Sequence, residues 1–208
     1  MMAKRSGSVW LISFAVSMTC LAWAGQASAG AQDLKKLSGD YAFSGEAFCI
    51  QSTSGFDSTL GFSPNPNGTV TFRPFNVQGI RTFNGDGSGT VVFTQVGINI
   101  PGDGGNQNQN LKPNANAGEG HANFTYTVAP DGSFTVDQGP ITVTTVAGAG
   151  NGNIGVTTGV KFSGQASKDW NTLVLSTDGL NVETTTTSGG VFLRDQICTR
   201  ARTAVKIK

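Results

Sequence analysis

A chain that sets Asn84-Gly85-Asp86-Gly87-Ser88-Gly89 between two runs of β-branched and aromatic residues has little choice but to turn back on itself. Gly and Asn tolerate the positive φ that a tight hairpin demands. The arms, Gly79-Ile80-Arg81-Thr82-Phe83 and Thr90-Val91-Val92-Phe93, suit a pleated, half-buried surface. The pattern recurs where Phe124 to Val128 runs through Asp131-Gly132 into Phe134-Thr135-Val136. It recurs again where Leu173-Val174-Leu175 runs through Asp178-Gly179 into Leu180-Asn181-Val182, which reads as a third hairpin. Further strand signals lie at Asp40–Cys49, Thr69–Phe72, Ile141–Val146, Val156–Phe162 and Val191–Arg200. Pro74 marks an edge, a bulge or a break. No amphipathic helix follows the first segment. The fold class is therefore all-β and antiparallel, a mostly up-and-down β-barrel of about 8–10 strands, with a β-sandwich as the alternative.

The first segment carries an address. Lys4 and Arg5 precede an apolar run from Val9 to about Trp23, and Ala27-Ser28-Ala29 follows. This is the layout of a secretory signal peptide cleaved after Ala29. The apolar run is shorter than the ~20 residues of a membrane span. The expectation is a protein exported to the periplasm or the medium, with residues 30–208 forming one domain. The segments near 51–68 and 101–120, rich in Ser, Asn, Gly and Pro, are expected to be mobile loops. If the strands run up and down, these loops share one end and the tight turns share the other.

Cys49 and Cys198 are the cysteines that survive cleavage. An even count in an exported chain favours a disulfide. Closing a barrel brings the first and last strands together, and these two residues with them. Linking them closes a loop of about 150 residues, worth roughly 5 kcal/mol by the chain-entropy argument.

Composition narrows the function classes. Lys+Arg number 14 against 13 Asp+Glu, and losing Lys4 and Arg5 keeps the balance near neutral, so nucleic acid is not an expected partner. Arg200, Arg202, Lys206 and Lys208 cluster at the end and read as a solvated tail rather than an anion-binding patch. His121 is the only histidine, and no Gly-x-Ser-x-Gly elbow accompanies it, so no catalytic residue is assigned. One His and two bridged cysteines cannot complete a zinc site, and no metal or cofactor is expected. Asn84, Asp86 and Ser88 mimic the start of a calcium loop, but position 12 is Gln95, so the segment reads as a hairpin turn. Outward positions dominated by Thr, and an end at Lys206-Ile207-Lys208, argue against stable membrane insertion.

Gly39-Asp40-Tyr41 at the first strand, Phe83-Asn84-Gly85-Asp86-Gly87 at a turn, Tyr126-Thr127-Val128 before Asp131-Gly132, and Cys198-Thr199-Arg200 near the end together resemble a family. It is that of secreted bacterial proteins with a lipocalin-like, calycin-type barrel, similar in shape to allene oxide cyclase. The resemblance implies an Arg packed over the aromatic of the first strand, here Arg200 or Arg202 over Tyr41. It also implies an interior that takes a small hydrophobic molecule. Phe72, Phe83, Phe93, Phe124, Phe134, Phe162 and Phe192 lie on separate strands and are the residues expected to line it. The expected function is non-catalytic binding of such a ligand by a monomer. The alternatives are a cyclase-type isomerase and a structural or adhesive surface module.

Overall fold

The computed structural model describes residues 33–62, 68–102 and 112–207. The segment read as a leader, residues 1–29, lies outside them. Eleven strands form one antiparallel sheet: β1 (Ser38–Ser52), β2 (Val70–Asn84), β3 (Ser88–Gly102), β4 (Asn114–Val128), β5 (Ser133–Gln138), β6 (Ile141–Gly148), β7 (Ile154–Thr158), β8 (Lys161–Ala166), β9 (Thr172–Thr177), β10 (Glu183–Thr187) and β11 (Phe192–Lys206). The order β1-β2-β3-β4-β5-β8-β9-β11, closed by the β1–β11 pairing, is a ring of eight strands. The sheet is barrel-like and runs up and down.

The remaining strands explain how eleven segments make an eight-position wall. Strands β4 and β11 each span 15 residues. One half of β4 pairs with β5 and the other with β6. Likewise β11 pairs with β9 along one half and with β10 along the other. Between them β5 pairs with β8, and β8 with β9, while β6 pairs with β7, and β7 with β10. Three neighbouring wall positions are thus split at mid-height. The splits fall where the backbone cannot continue a ladder. Pro140 lacks an N–H. Gly159 and Gly179 hold φ of 87° and 74°, outside the strand region.

This corrects the third hairpin. Strands β9 and β10 do not pair with each other, so Asp178-Gly179 is an interruption within one wall position. The turns at Asp86 and Asp131 do share an end, as alternation requires. Each aspartate accepts the backbone N–H and the hydroxyl of the serine two residues on. Side-chain and backbone hydrogen bonds from that serine hold both carboxyls below the usual range. The calcium-like stretch is the β2–β3 hairpin turn, with Gly85 and Gly87 at positive φ.

Pro74 neither ends β2 nor leaves it at an edge. The ladder to β3 lapses at Arg73 and Pro74 and resumes at Phe75↔Gly97 in the same register. Residues 114–120, read from composition as loop, are strand and pair with both β3 and β6. Small residues there accommodate bulk from the neighbouring strand: a Cβ on Gly120 would lie 2.3 Å from the Phe93 ring.

Cys49 and Cys198 sit directly opposite each other on β1 and β11 and form a disulfide spanning 149 residues. Such a bond is the chemistry of an oxidising compartment. No helix among the described residues is long and apolar enough to cross a membrane.

The two halves of the ring interior differ. Toward the tight-turn end it is solid. A helical turn over 33–36 leads to Leu37, which is fully buried, and Tyr126 Oη donates to its carbonyl at 2.9 Å while accepting from Gly85 N–H. Tyr41, Phe83, Phe124, Tyr126 and Phe134 pack there with edge-to-face contacts centred on Phe83. Toward the other end the interior is open.

Candidate functional site

The open half holds a cavity of about 400 Å³. Alternation decides which residues enter it. On β2 the inward set is Arg73, Phe75, Val77, Arg81 and Phe83. On β11 it is Arg194, Gln196, Cys198, Arg200, Arg202 and Ala204. The cavity is therefore lined by aromatics (Phe43, Phe75, Phe93, Phe162), by aliphatics such as Val77 and Val91, and by five arginines. Asn99, Asn114, Asn116 and Asn153 stand toward the end where β2 begins and β3 ends.

The structure brings together only some of the phenylalanines expected inside. Phe93 and Phe162 line the cavity. Phe83, Phe124 and Phe134 fill the solid half. Phe72 is on the outer face of β2, where it stacks on Phe48 with ring centroids 6.2 Å apart. It falls one residue out of phase with Arg73 and Phe75, and in a strand that means the opposite face. Phe192 begins β11 and is 45% exposed. Phe43 and Phe75 take the places these two were expected to hold. His121 points outward from β4.

The arginines correct a second expectation. Arg200 and Arg202 belong to β11 and face inward, each 8% exposed, so they are not part of a solvated tail. Neither packs over Tyr41. The cation over that ring is Lys206, 5.7 Å from its centroid and opposite it in register. Strand β1 makes room for the arginines. Arg202 faces Gly45, where an added Cβ would come within 2.8 Å of the Arg202 Cδ, and Arg200 faces Ala47.

One arginine is paired. Glu183, fully buried on β10, takes both terminal nitrogens of Arg200. Gln196 Nε2 donates to the same carboxylate at 2.8 Å, and Gln51 Nε2 donates to Gln196 Oε1 at 2.9 Å. The other four have no carboxylate within ion-pair distance among the described residues. Arg73 donates to Asn116 Oδ1 at 3.2 Å and lies over Phe75. Arg81 donates to Gln138 Oε1 at 3.3 Å and lies 4.7 Å from the Phe124 centroid and 5.5 Å from that of Phe162. Arg202 donates to the Glu46 carbonyl at 2.6 Å. Nη1 of Arg81 and Nε of Arg194 are buried with no hydrogen-bond partner among the described residues.

Burial lowers these groups: Arg81 to about 10, Arg73 to about 10 and Arg202 to about 9, the last two also through like charge from neighbouring arginines. Arg194 is lowered too, by burial. All stay protonated at neutral pH, so the cavity is strongly positive. Holding an unpaired ion out of water costs several kcal/mol. Cation–π contacts return about 0.5–2 kcal/mol each. A fold that retains four such groups in one chamber carries an electrostatic cost that packing alone does not require.

Among the described residues no group of three or more His, Cys, Asp or Glu is placed to hold a metal. Searches against protein-family models, curated proteins and solved structures found no match.

The sequence carried a usable signal for the arginines. A cysteine is among the residues most often buried, Cys198 does face inward, and residues 194, 200 and 202 share its parity. Arg81 likewise shares the parity of Phe83.

Proposed function

We propose that this is an exported, calycin-type binding protein that holds one small molecule inside its ring of strands and performs no chemistry on it. The observation that carries the reading is the contrast between the two halves of the interior. One half is packed solid, while the other leaves about 400 Å³ open, within the size range of small-molecule sites. Phe43, Phe75, Phe93 and Phe162 supply an apolar wall for the body of the ligand. The Cys49–Cys198 bond supports residence in the periplasm or outside the cell, with the segment 1–29 as its leader, and the protein acts there as a monomer.

A cyclase-type isomerase draws less support. Its proton transfers would fall to Glu183, and Arg200 and Gln196 already hold that carboxylate.

Titration of the mature protein with N-phenyl-1-naphthylamine, whose emission rises in apolar surroundings, tests the reading. One saturable site per chain is the expected result. Emission that climbs without saturating, both with this probe and with its anionic analogue 8-anilinonaphthalene-1-sulfonate, would sink it.

A further inference from the structure

We propose that the ligand of this cavity is an organic anion, whose oxoanion head sits against Arg73 and Arg194 toward the open end. The inference rests on the cavity being a ligand site and specifies the chemistry of its occupant.

Among the described residues, five guanidinium groups share the chamber with one interior carboxylate, and that carboxylate is committed to Arg200. The remaining four fall into two neighbourhoods on either side of it: Arg73 feels the charges of Arg194 and Arg200, and Arg202 those of Arg200 and Arg81. Opposite charge in the chamber is what such a cluster lacks.

Among the described residues Nε of Arg194 is an unused donor at the cavity, and deeper in so is Nη1 of Arg81, a residue only 5% exposed. A guanidinium presents its donors as a planar fork that matches carboxylate, phosphate and sulfonate geometry. The alternative, a structural role, would give these donors protein acceptors, as it does for Arg200. Space has also been cleared for the cluster. An added Cβ on Gly97 would lie 3.3 Å from both Nε and Nη2 of Arg73.

The ligand also needs an apolar body. Phe75 and Phe162 lie beside Arg73 and Arg81 and continue the same chamber. A free inorganic ion would leave that wall unused.

Two probes share one ring system and differ in the head group: N-phenyl-1-naphthylamine, neutral, and 8-anilinonaphthalene-1-sulfonate, anionic. Each is titrated into the intact mature protein and into Arg194→Met and Arg73→Gln variants. The proposal expects one sulfonate site, at least tenfold tighter than the neutral probe. It also expects that affinity to fall roughly tenfold or more in each variant, since a charge-assisted hydrogen bond is lost, and to fall by more than the affinity for the neutral probe does. An equal loss for both probes would mean a damaged cavity rather than a lost head-group contact and would overturn the proposal, and if one variant does not fold the other carries the comparison. Equal binding of the two probes by the wild-type protein overturns the proposal and leaves the ligand-binding reading standing. Saturation by neither overturns both. Displacement of the sulfonate by inorganic phosphate but not acetate assigns a phosphate-type head, and the reverse a carboxylate. Displacement by chloride at equal ionic strength to the same extent as by either would mean screening alone, and would overturn it.

Discussion

Glu183 engages both terminal nitrogens of Arg200, and among the described residues this single pairing exhausts the carboxylates available to the interior arginines. The anionic ligand proposed for the cavity follows from that imbalance, and so does an asymmetry in how paired and unpaired interior charges should respond to mutation.

Removing the paired partner should harm the fold. Glu183→Gln leaves Arg200 buried without its counter-charge, and breaking a buried pair in this way costs about 3–5 kcal/mol. Urea unfolding of the variant should show its midpoint falling accordingly, with an unchanged m-value. A loss under 1 kcal/mol would mean that the pair is not isolated from water.

Removing an unpaired arginine should do the opposite. Arg194→Met deletes a half-buried charge whose buried Nε has no partner among the described residues and replaces it with an apolar chain of similar length. We expect a melting temperature equal to or above that of the unliganded wild type, a gain of order 1 kcal/mol. The same variant should lose anion binding. A drop in melting temperature as large as that of Glu183→Gln would assign Arg194 a structural role.

These two predictions mark the boundary of what was legible in the sequence. The strands, the tight turns at Asp86 and Asp131 and the Cys49–Cys198 link follow from local chemistry, because β-branched runs, Asp-Gly pairs and an even cysteine count act within a few residues or through one covalent bond. Ring closure by β1 and β11 followed from the same reasoning. The split wall did not. Leu173–Val182 looks like a hairpin, yet each arm finds a different neighbour, and that choice is made by the long strands β4 and β11. The arginines were missed for a related reason. Charge near a chain end is ordinarily solvated, and composition carries no phase. Only the alternation shared with Cys198 and Phe83 shows that Arg200, Arg202 and Arg81 point inward, while Phe72, one residue out of phase, points outward.

Reduction should weaken the fold substantially. The Cys49–Cys198 bond constrains a span of 149 residues in the unfolded chain. A double Ser variant, or thermal unfolding in reductant, should lose up to about 5 kcal/mol by the chain-entropy argument. An unchanged melting temperature would show that the β1–β11 ladder alone carries closure.

The phenols offer a spectroscopic check on the solid half. The chain has two tyrosines. Burial raises Tyr41 to about 12, and its hydroxyl donates to the Trp170 carbonyl at 2.7 Å. Tyr126 is raised as well, by burial. A folded pKa above the unfolded value means stability that is present below pH 10 and lost as the pH climbs toward 12. The buried arginines have the opposite sign, their folded values lying below the unfolded one, so stability in that window mixes the two. Absorbance at 295 nm reports the phenols alone. Native protein should show its tyrosinate signal shifted above pH 10, with Tyr41 titrating near 12, and a full two-phenol step at pH 10 would place both rings in water.

The charge of the cavity sets the pH profile of binding. With Arg202 at about 9 and Arg73 and Arg81 at about 10, the affinity for an anionic probe should be flat from pH 6 to 8 and decline above 9. A decline already under way between pH 6 and 8 would contradict an arginine-held anion.

The central claim, that the chamber exists to hold an organic anion, is tested most directly by native mass spectrometry of the mature protein purified from its own host. The account predicts a single adduct that survives gentle desolvation and, on release, is recovered as a small acid in negative-ion mode. An adduct released as a neutral molecule would contradict the arginine argument and return the cavity to a purely apolar ligand, while a bare protein mass from freshly prepared material would count against an occupied binding protein altogether.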